Sequence, residues 1–263
     1  MKKGFTLIEL SIVIVIIGLI IGGVLIGRDL IAAAGIRSQV TQIEKYNATV
    51  NTFRTKYGGI PGDLTRTEAA GFGLYYITYG PYIGNPGYGD NNGVINARVA
   101  GGTYLAGEPF MFWRQLSDAQ MIDGAFGSLL NTAAECGTAG ATADNFLPAS
   151  KIGKSYIEAN SPGNRINYFL IYNLTAISSC GVGGGGHSTN ANALTAQEAY
   201  AIDSKIDDGL PGSGTVIAIN GAANLDLYAS WTTVSAVATC VSSSAYAINP
   251  GTAKSCSLRF KFQ

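Results

Sequence analysis

Histidine occurs once in the 263 residues, as His187. A Ser-His-Asp site at His187 is possible in principle, but no Gly-x-Ser-x-Gly elbow accompanies it. Charge is sparse and balanced: 13% of residues are ionisable Asp, Glu, Lys or Arg, with 17 of each sign. That balance excludes the basic footprint of a nucleic-acid groove, so no nucleic-acid partner is indicated. Cysteine is confined to Cys136, Cys180, Cys240 and Cys256, and none stands in a Cys-x-x-Cys pair. The zinc-ribbon and thioredoxin-type patterns are therefore missing. Gly181 to Gly186 reads Gly-Val-Gly-Gly-Gly-Gly, which formally meets a dinucleotide fingerprint, but no helix pattern follows and a flexible loop is expected.

What the sequence has instead is one long apolar run near its start. From Phe5 to Gly27 the only ionisable side chain is Glu9. At ~1.5 Å per residue a helix over this stretch is about 35 Å long, enough to cross a hydrocarbon core of ~30 Å. Lys2 and Lys3 precede the run and Arg28 follows it. The lysines place the N-terminus in the cytoplasm and everything after Arg28 outside it. A secretory signal peptide has a shorter apolar core of ~7–15 residues. A freely secreted chain starting at Gly35, after the small residues Ala32, Ala33 and Ala34, is the rival reading.

The apolar pattern continues past the membrane edge in another form. Ile36, Val40, Ile43, Tyr46, Val50, Phe53 and Tyr57 recur at spacings of three and four, with Gln39, Gln42, Glu44, Lys45 and Arg54 between them. This predicts one helix from Phe5 to Tyr57, stopped by Gly58-Gly59 and Pro61, with a first half apolar all round and a second half that packs on a domain. Gly18 and Gly22, and Gly23 and Gly27, are four apart and allow neighbouring helices to approach closely.

Glu9 is the costly residue. A carboxylate near the bilayer centre is unfavourable by ~2.5–3.5 kcal/mol and needs a partner. No cation lies three or four residues away, so the expected partner is on another chain. Lys2-Lys3-Gly4-Phe5-Thr6-Leu7-Ile8-Glu9-Leu10 resembles the leader and processing site of type IV prepilins and type II secretion pseudopilins. The resemblance implies cleavage between Gly4 and Phe5 by a membrane prepilin peptidase, N-methylation of Phe5, and assembly with Glu9 against a neighbour's N-terminus. It implies a structural subunit, not an enzyme, which requires no cofactor. Its partners are pilin-like subunits of the same or another kind, the peptidase and the inner membrane. Its site is the inner membrane before assembly and a periplasmic or surface filament afterwards. The organisation that follows is a leader at 1–4, an assembly helix at 5–27, an amphipathic continuation at 28–57 and an exported domain at 58–263. A pilus-like filament subunit is the leading expectation and a secretion pseudopilin the alternative. A secreted or membrane-tethered binding domain or hydrolase is the alternative of another class.

In the exported part, Pro61-Gly62-Asp63 opens a Gly-, Tyr- and Asn-rich stretch that reaches about Gly107 and reads as long loops. Helices are predicted over Pro109–Ile122 and Thr195–Asp207, the latter with a Thr195/Glu198 capping box. Strands are predicted over Ile166–Leu174, Gly214–Ala218 and Ser257–Phe262, the last with Arg259 and Lys261 on a wet face. The fold class is α+β, a long helix on a small antiparallel sheet with long loops. Outside the cytoplasm the four cysteines form two disulfides, Cys136 to Cys180 and Cys240 to Cys256, the pairings that close the nearer loops. Asp90 and Asn92 in Asp-Asn-Asn-Gly place oxygen ligands at alternate positions, which suits Ca²⁺ provided that Asp63 or Glu108 completes the set. An Asn-Gly turn without metal is the other reading. Asp203, Asp207 and Asp208 read as a solvated helix end.

Overall fold

The computed structural model describes residues 6–76, 89–95, 98–99, 102–103, 107–127, 143–153, 155–161, 165–174, 190–219, 240–242, 244–248 and 253–262. Helix α1 runs unbroken over Leu7–Tyr57. Thr6 caps its start, with its side chain accepting from the Glu9 N–H, and Glu9 reaches back to the Thr6 backbone. Gly58 ends it in the left-handed region at φ 79°, donating its N–H to the Arg54 carbonyl, a conformation that a residue with a Cβ adopts at a cost. Helix α2 (Arg66–Gly71) begins with a second capping box, Thr65 with Glu68, inside the stretch expected to be loop. Helices α3 (Glu108–Asp118) and α4 (Ala196–Ile206) follow, the latter capped by Thr195 and Glu198 as the sequence predicts.

The main sheet is antiparallel. Its strands are β3 (Tyr156–Asn160), β4 (Tyr168–Leu174), β6 (Val216–Ile219) and β9 (Ser257–Lys261), in the order β3-β4-β9-β6, with the short β5 (Asn190–Ala191) also paired to β4. Two-residue strands β1 (Arg98–Val99) and β2 (Gly102–Thr103) pair with each other, as do β7 (Val241–Ser242) and β8 (Ala245–Tyr246). Strand β3 is absent from the sequence expectation.

Register explains how the sheet divides its side chains. Ala159, Phe169, Phe260 and Val216 stand opposite one another across four strands, and so share a face. That face meets α1 and α3: the Phe169 ring lies 6.0 Å from those of Tyr46, Phe112 and Trp113 and stacks at 4.1 Å on Phe262. From α1 come Ile43, Tyr46, Val50 and Phe53, all buried, with Ile36, Val40 and Tyr57 packed partly buried at the margin. This is the stripe read from the sequence. Gln39 departs from it, since it is fully buried and its Oε1 accepts from Ser150 Oγ (2.6 Å) and the Lys151 N–H (2.8 Å).

The second sheet face carries Glu158, Asn160, Tyr168, Leu170, Tyr172 and Arg259, and it is buried as well. Arg259 was expected to be wet. It is instead 7% exposed, with its guanidinium 4.8 Å from the Tyr168 ring centre. Period-two alternation predicts a solvated face only where a sheet is covered on one side, and here both sides are covered. Lys261 is exposed as expected.

Phe53 has no accessible surface and belongs to the half of α1 that holds the domain. Phe53→Ala should lower the unfolding free energy by ~3–5 kcal/mol. Thr52→Ala, on the exposed side, should change it by no more than about 0.5 kcal/mol. Denaturant unfolding of both variants checks the difference.

Candidate functional site

Two places in the chain gather chemistry. The first is the N-terminal half of α1, the one helix among the described residues that is long and apolar enough to cross a membrane. Every Leu, Ile and Val from Leu7 to Ile31 is exposed. A helix apolar on all sides is stable only in lipid or among other helices. The Cβ positions of Gly18, Gly22, Gly23 and Gly27 meet nothing within 4 Å, so this surface is open to close approach by a neighbour.

Gly4 and Phe5 lie outside the described residues, but Glu9 is placed. Thr6 donates its backbone N–H (2.8 Å) and its Oγ1 hydroxyl (2.7 Å) to Glu9 Oε2. The expectation that Glu9 lacks a partner in its own helix is thereby corrected: the partner is not a cation but the Thr6 of a Thr-x-x-Glu capping box. Both bonds converge on Oε2. Among the described residues Oε1 accepts none, so half of the carboxylate stays available to a group on another molecule.

The second place is a knot of three segments. Asp63 follows the Pro61-Gly62 turn and Asp90 opens the loop 89–95, while Glu108 starts α3. A carboxylate oxygen of each lies within 4.8 Å of the others, and Asp63 and Glu108 are fully buried. Backbone bonds hold the segments together. The Asp63 carbonyl accepts from Asn91 N–H (2.7 Å), and its carboxylate from Asn92 N–H (3.3 Å) and Gly93 N–H (2.8 Å). Glu108 Oε1 accepts from Gly89 N–H (2.9 Å). Gly89 has φ 79°, and a Cβ there would stand 2.0 Å from the Leu64 carbonyl oxygen, so this approach needs glycine. Burial foremost, opposed by the Gly93 N–H and aided by the Asp90 charge, pushes Asp63 up to about 7.

Of the two residues named for Ca²⁺, the structure puts Asp90 in this cluster with both completing carboxylates. Asn92 stands beside it, its Nδ2 donating to Asp90 Oδ2 (2.8 Å) and its Oδ1 accepting from Val94 N–H (2.8 Å). Three carboxylates at this spacing have the donor type and the charge that a hard cation takes.

The other acidic group has a structural occupation. Asp203 accepts from Tyr246 OH (2.7 Å) and Gly209 N–H (3.3 Å), Asp208 from Leu210 N–H (2.8 Å) and Ser213 Oγ (2.6 Å), and Asp207 from the N–H groups of Thr215 and Val216. These bonds shape the turn between α4 and β6. Asp208 is solvated as expected, but Asp203 is buried, because Tyr246 from the disulfide loop covers it. The Cys240–Cys256 disulfide closes that loop, with Cα atoms 5.1 Å apart. Cys136, Cys180, the 181–186 glycine run and His187 lie outside the described residues.

Sequence reasoning passed over Glu158. It is fully buried on β3, where its Oε2 accepts from Tyr172 OH (2.6 Å) and its Oε1 from Asn160 Nδ2 (3.3 Å). Burial, against the hydrogen bonds from Tyr172 and Asn160, pushes its carboxyl to about 7. The alternation of Ile157 and Ala159 with Tyr156, Glu158 and Asn160 is a strand signal that could have found it, but it reads Glu158 onto a wet face, whereas that face is buried.

Residues 1–25 match the family model described as the prokaryotic N-terminal methylation motif, which is the signature of type IV prepilins and pseudopilins. No curated protein and no solved structure matches the chain. The N-terminus therefore carries the prepilin signature on a chain whose long helix and small antiparallel sheet have the expected α+β form.

Two predictions follow from this geometry. We propose Asp63, Asp90 and Glu108 as Ca²⁺ ligands: calorimetric titration of the chain from about Gln39 onward should show saturable binding in the ~10⁻⁴–10⁻³ M range, lost in Asp90→Asn. Absence of heat from the native domain in that range removes the assignment.

The second concerns pH. Glu158, Asp63 and Asp203 are raised to about 7, about 7 and about 6 from ordinary values of 4.5, 3.8 and 3.8, burial being the first cause in each. A raised folded-state value means that the folded chain holds protons the unfolded chain has released. Their stability contribution is complete below about pH 4 and is lost as the pH rises through about 6 to 7. Unfolding free energy should fall between about pH 4 and 7, and Glu158→Gln should remove roughly 3 kcal/mol of that fall. Urea titrations across this pH range measure both.

Proposed function

We propose that the chain is a structural subunit of a type IV pilus-like filament, anchored in the inner membrane by α1 before assembly and held in the filament by the same helix. The single observation that supports this most is an N-terminal helix exposed and apolar on every side, headed by one carboxylate and preceded by the prepilin signature. An inert anchor has no use for that acid. In a filament core the Glu9 carboxylate loses water, and a counter-charge or hydrogen bond must replace it. Thr6 replaces part of it from within the chain. Processing between Gly4 and Phe5 would remove Lys2 and Lys3 and expose an α-amino group at Phe5, and that amine on a neighbouring subunit is the cation available for Glu9.

The division of labour along α1 supports the same reading. Its second half spends its apolar stripe on the domain, so the exposed first half is what remains for other chains. Lys2 and Lys3 orient the unprocessed subunit with its N-terminus in the cytoplasm and the domain on the far side. The Cys240–Cys256 disulfide agrees with a domain that folds in an oxidising compartment.

The experiment compares wild type and Glu9→Ala, each expressed as the only copy. Mature wild-type chain should lack Met1 to Gly4 and carry a methyl group on the Phe5 amine by mass spectrometry. A mature N-terminus at Gly35 would instead mark a freely secreted protein. Glu9→Ala leaves the partner amine buried and unpaired, a loss of ~3–5 kcal/mol per contact. Filament yield should collapse while the membrane-bound pool and the folded domain persist, because Ala makes the spanning segment more apolar. Normal filament yield from the variant overturns the role of Glu9.

A further inference from the structure

The loop 89–95 presents an Asn-Gly pair, Asn92-Gly93, on its exposed side. Asn-Gly is the dipeptide in which a backbone nitrogen most readily attacks the preceding side-chain amide, because glycine leaves that nitrogen uncrowded. A Cβ at Gly93 would meet nothing within 4 Å, so no neighbouring residue crowds that side of the glycine. The attack has three requirements. The Gly93 N–H must give up its proton, Asn92 Oδ1 must carry negative charge in the tetrahedral intermediate, and Asn92 Nδ2 must leave as ammonia.

Each atom in that sequence has a fixed partner. Gly93 N–H donates to Asp63 Oδ2 at 2.8 Å, a carboxylate positioned to take the proton. Val94 N–H donates to Asn92 Oδ1 at 2.8 Å, the placement of an oxyanion-stabilising donor. Asn92 Nδ2 donates to Asp90 Oδ2 at 2.8 Å, which orients the departing nitrogen. The Asn92 N–H also bonds Asp63 Oδ1 (3.3 Å) and Asp90 Oδ1 (3.1 Å), so the residue is held from both sides. The bond from Val94 to Asn92 Oδ1 closes an Asx turn, which holds the side-chain amide against its own backbone.

We propose that Asn92-Gly93 is a self-modifying site at which the folded loop promotes deamidation of Asn92. The Gly93 nitrogen bonds to Asn92 Cγ as its proton passes to Asp63. The Cγ–Nδ2 bond then breaks, and the nitrogen leaves as ammonia with the proton that Asp63 returns. The resulting succinimide is opened by one water at either carbonyl, giving aspartate or isoaspartate at position 92. Water is consumed, ammonia is released, and no oxidant or reductant takes part. The product is a fourth carboxylate beside Asp63, Asp90 and Glu108, made after translation by the fold itself.

The test incubates the full chain folded and, separately, unfolded in guanidinium chloride, at the same pH and temperature. Conversion at residue 92 is followed by peptide mass mapping and isoaspartate labelling. Orientation together with a positioned base predicts conversion at least ~10-fold faster in the folded chain. Asp63→Asn, with folding checked by circular dichroism, should bring the rate down toward the unfolded value. A folded rate equal to or below the unfolded rate overturns the proposal, whatever the variant does. So does an Asp63→Asn protein that stays folded and converts as fast as wild type.

Discussion

Everything in the structure depends on α1 having two kinds of neighbour in succession. Its first half offers exposed apolar side chains in every direction. Its second half narrows to one stripe, and the stripe is consumed by Phe169 and the aromatic cluster around Trp113. The constraint is that both halves belong to one unbroken hydrogen-bonded rod. The domain cannot turn relative to the membrane segment without breaking that rod, so the stripe that holds the sheet also fixes which face of the first half points beneath the domain.

Buried polar groups give this domain much of its specificity. Gln39 ties α1 to residues 150–151, Asn167 ties β4 to the acidic loop through Ile95 N–H and the Gly93 carbonyl, and Asp203 ties α4 to the disulfide loop through Tyr246. Each joins segments distant in sequence. Apolar contacts tolerate sliding, whereas a hydrogen bond inside a protein is satisfied in one register or left costly. With loops as long as these, such bonds select one arrangement from many of similar apolar burial.

Much of this was legible beforehand, for identifiable reasons. The extent of α1, the stripe from Ile36 to Tyr57 and the Thr195 cap are local signals, read at spacings of three and four residues. The clustering of Asp63, Asp90 and Glu108 was approachable because a metal loop lacking ligands names what it lacks. Failures came where tertiary packing decides. Arg259 alternates correctly and is still buried, because a second layer covers the sheet. Strand β3 alternates over only five residues, and its polar side, Glu158 and Asn160, is buried where alternation alone predicts solvent. Glu9 was misread through a search for charge when a hydroxyl and an amide were the nearer partners.

The order of strands in the main sheet bears on when the domain can exist at all. Strands β4 and β6 do not touch each other; β9 lies between them, and it follows both in the chain. Until residues 257–261 have joined it, the described sheet is two separate pieces with a slot in the middle. The membrane helix, by contrast, is complete before any strand has been made. A chain of this design has its apolar helix first and its sheet second, so synthesis stalled before residue 257 would leave the helix joined to a sheet whose central strand is missing, exposed to the proteases of whichever compartment holds it.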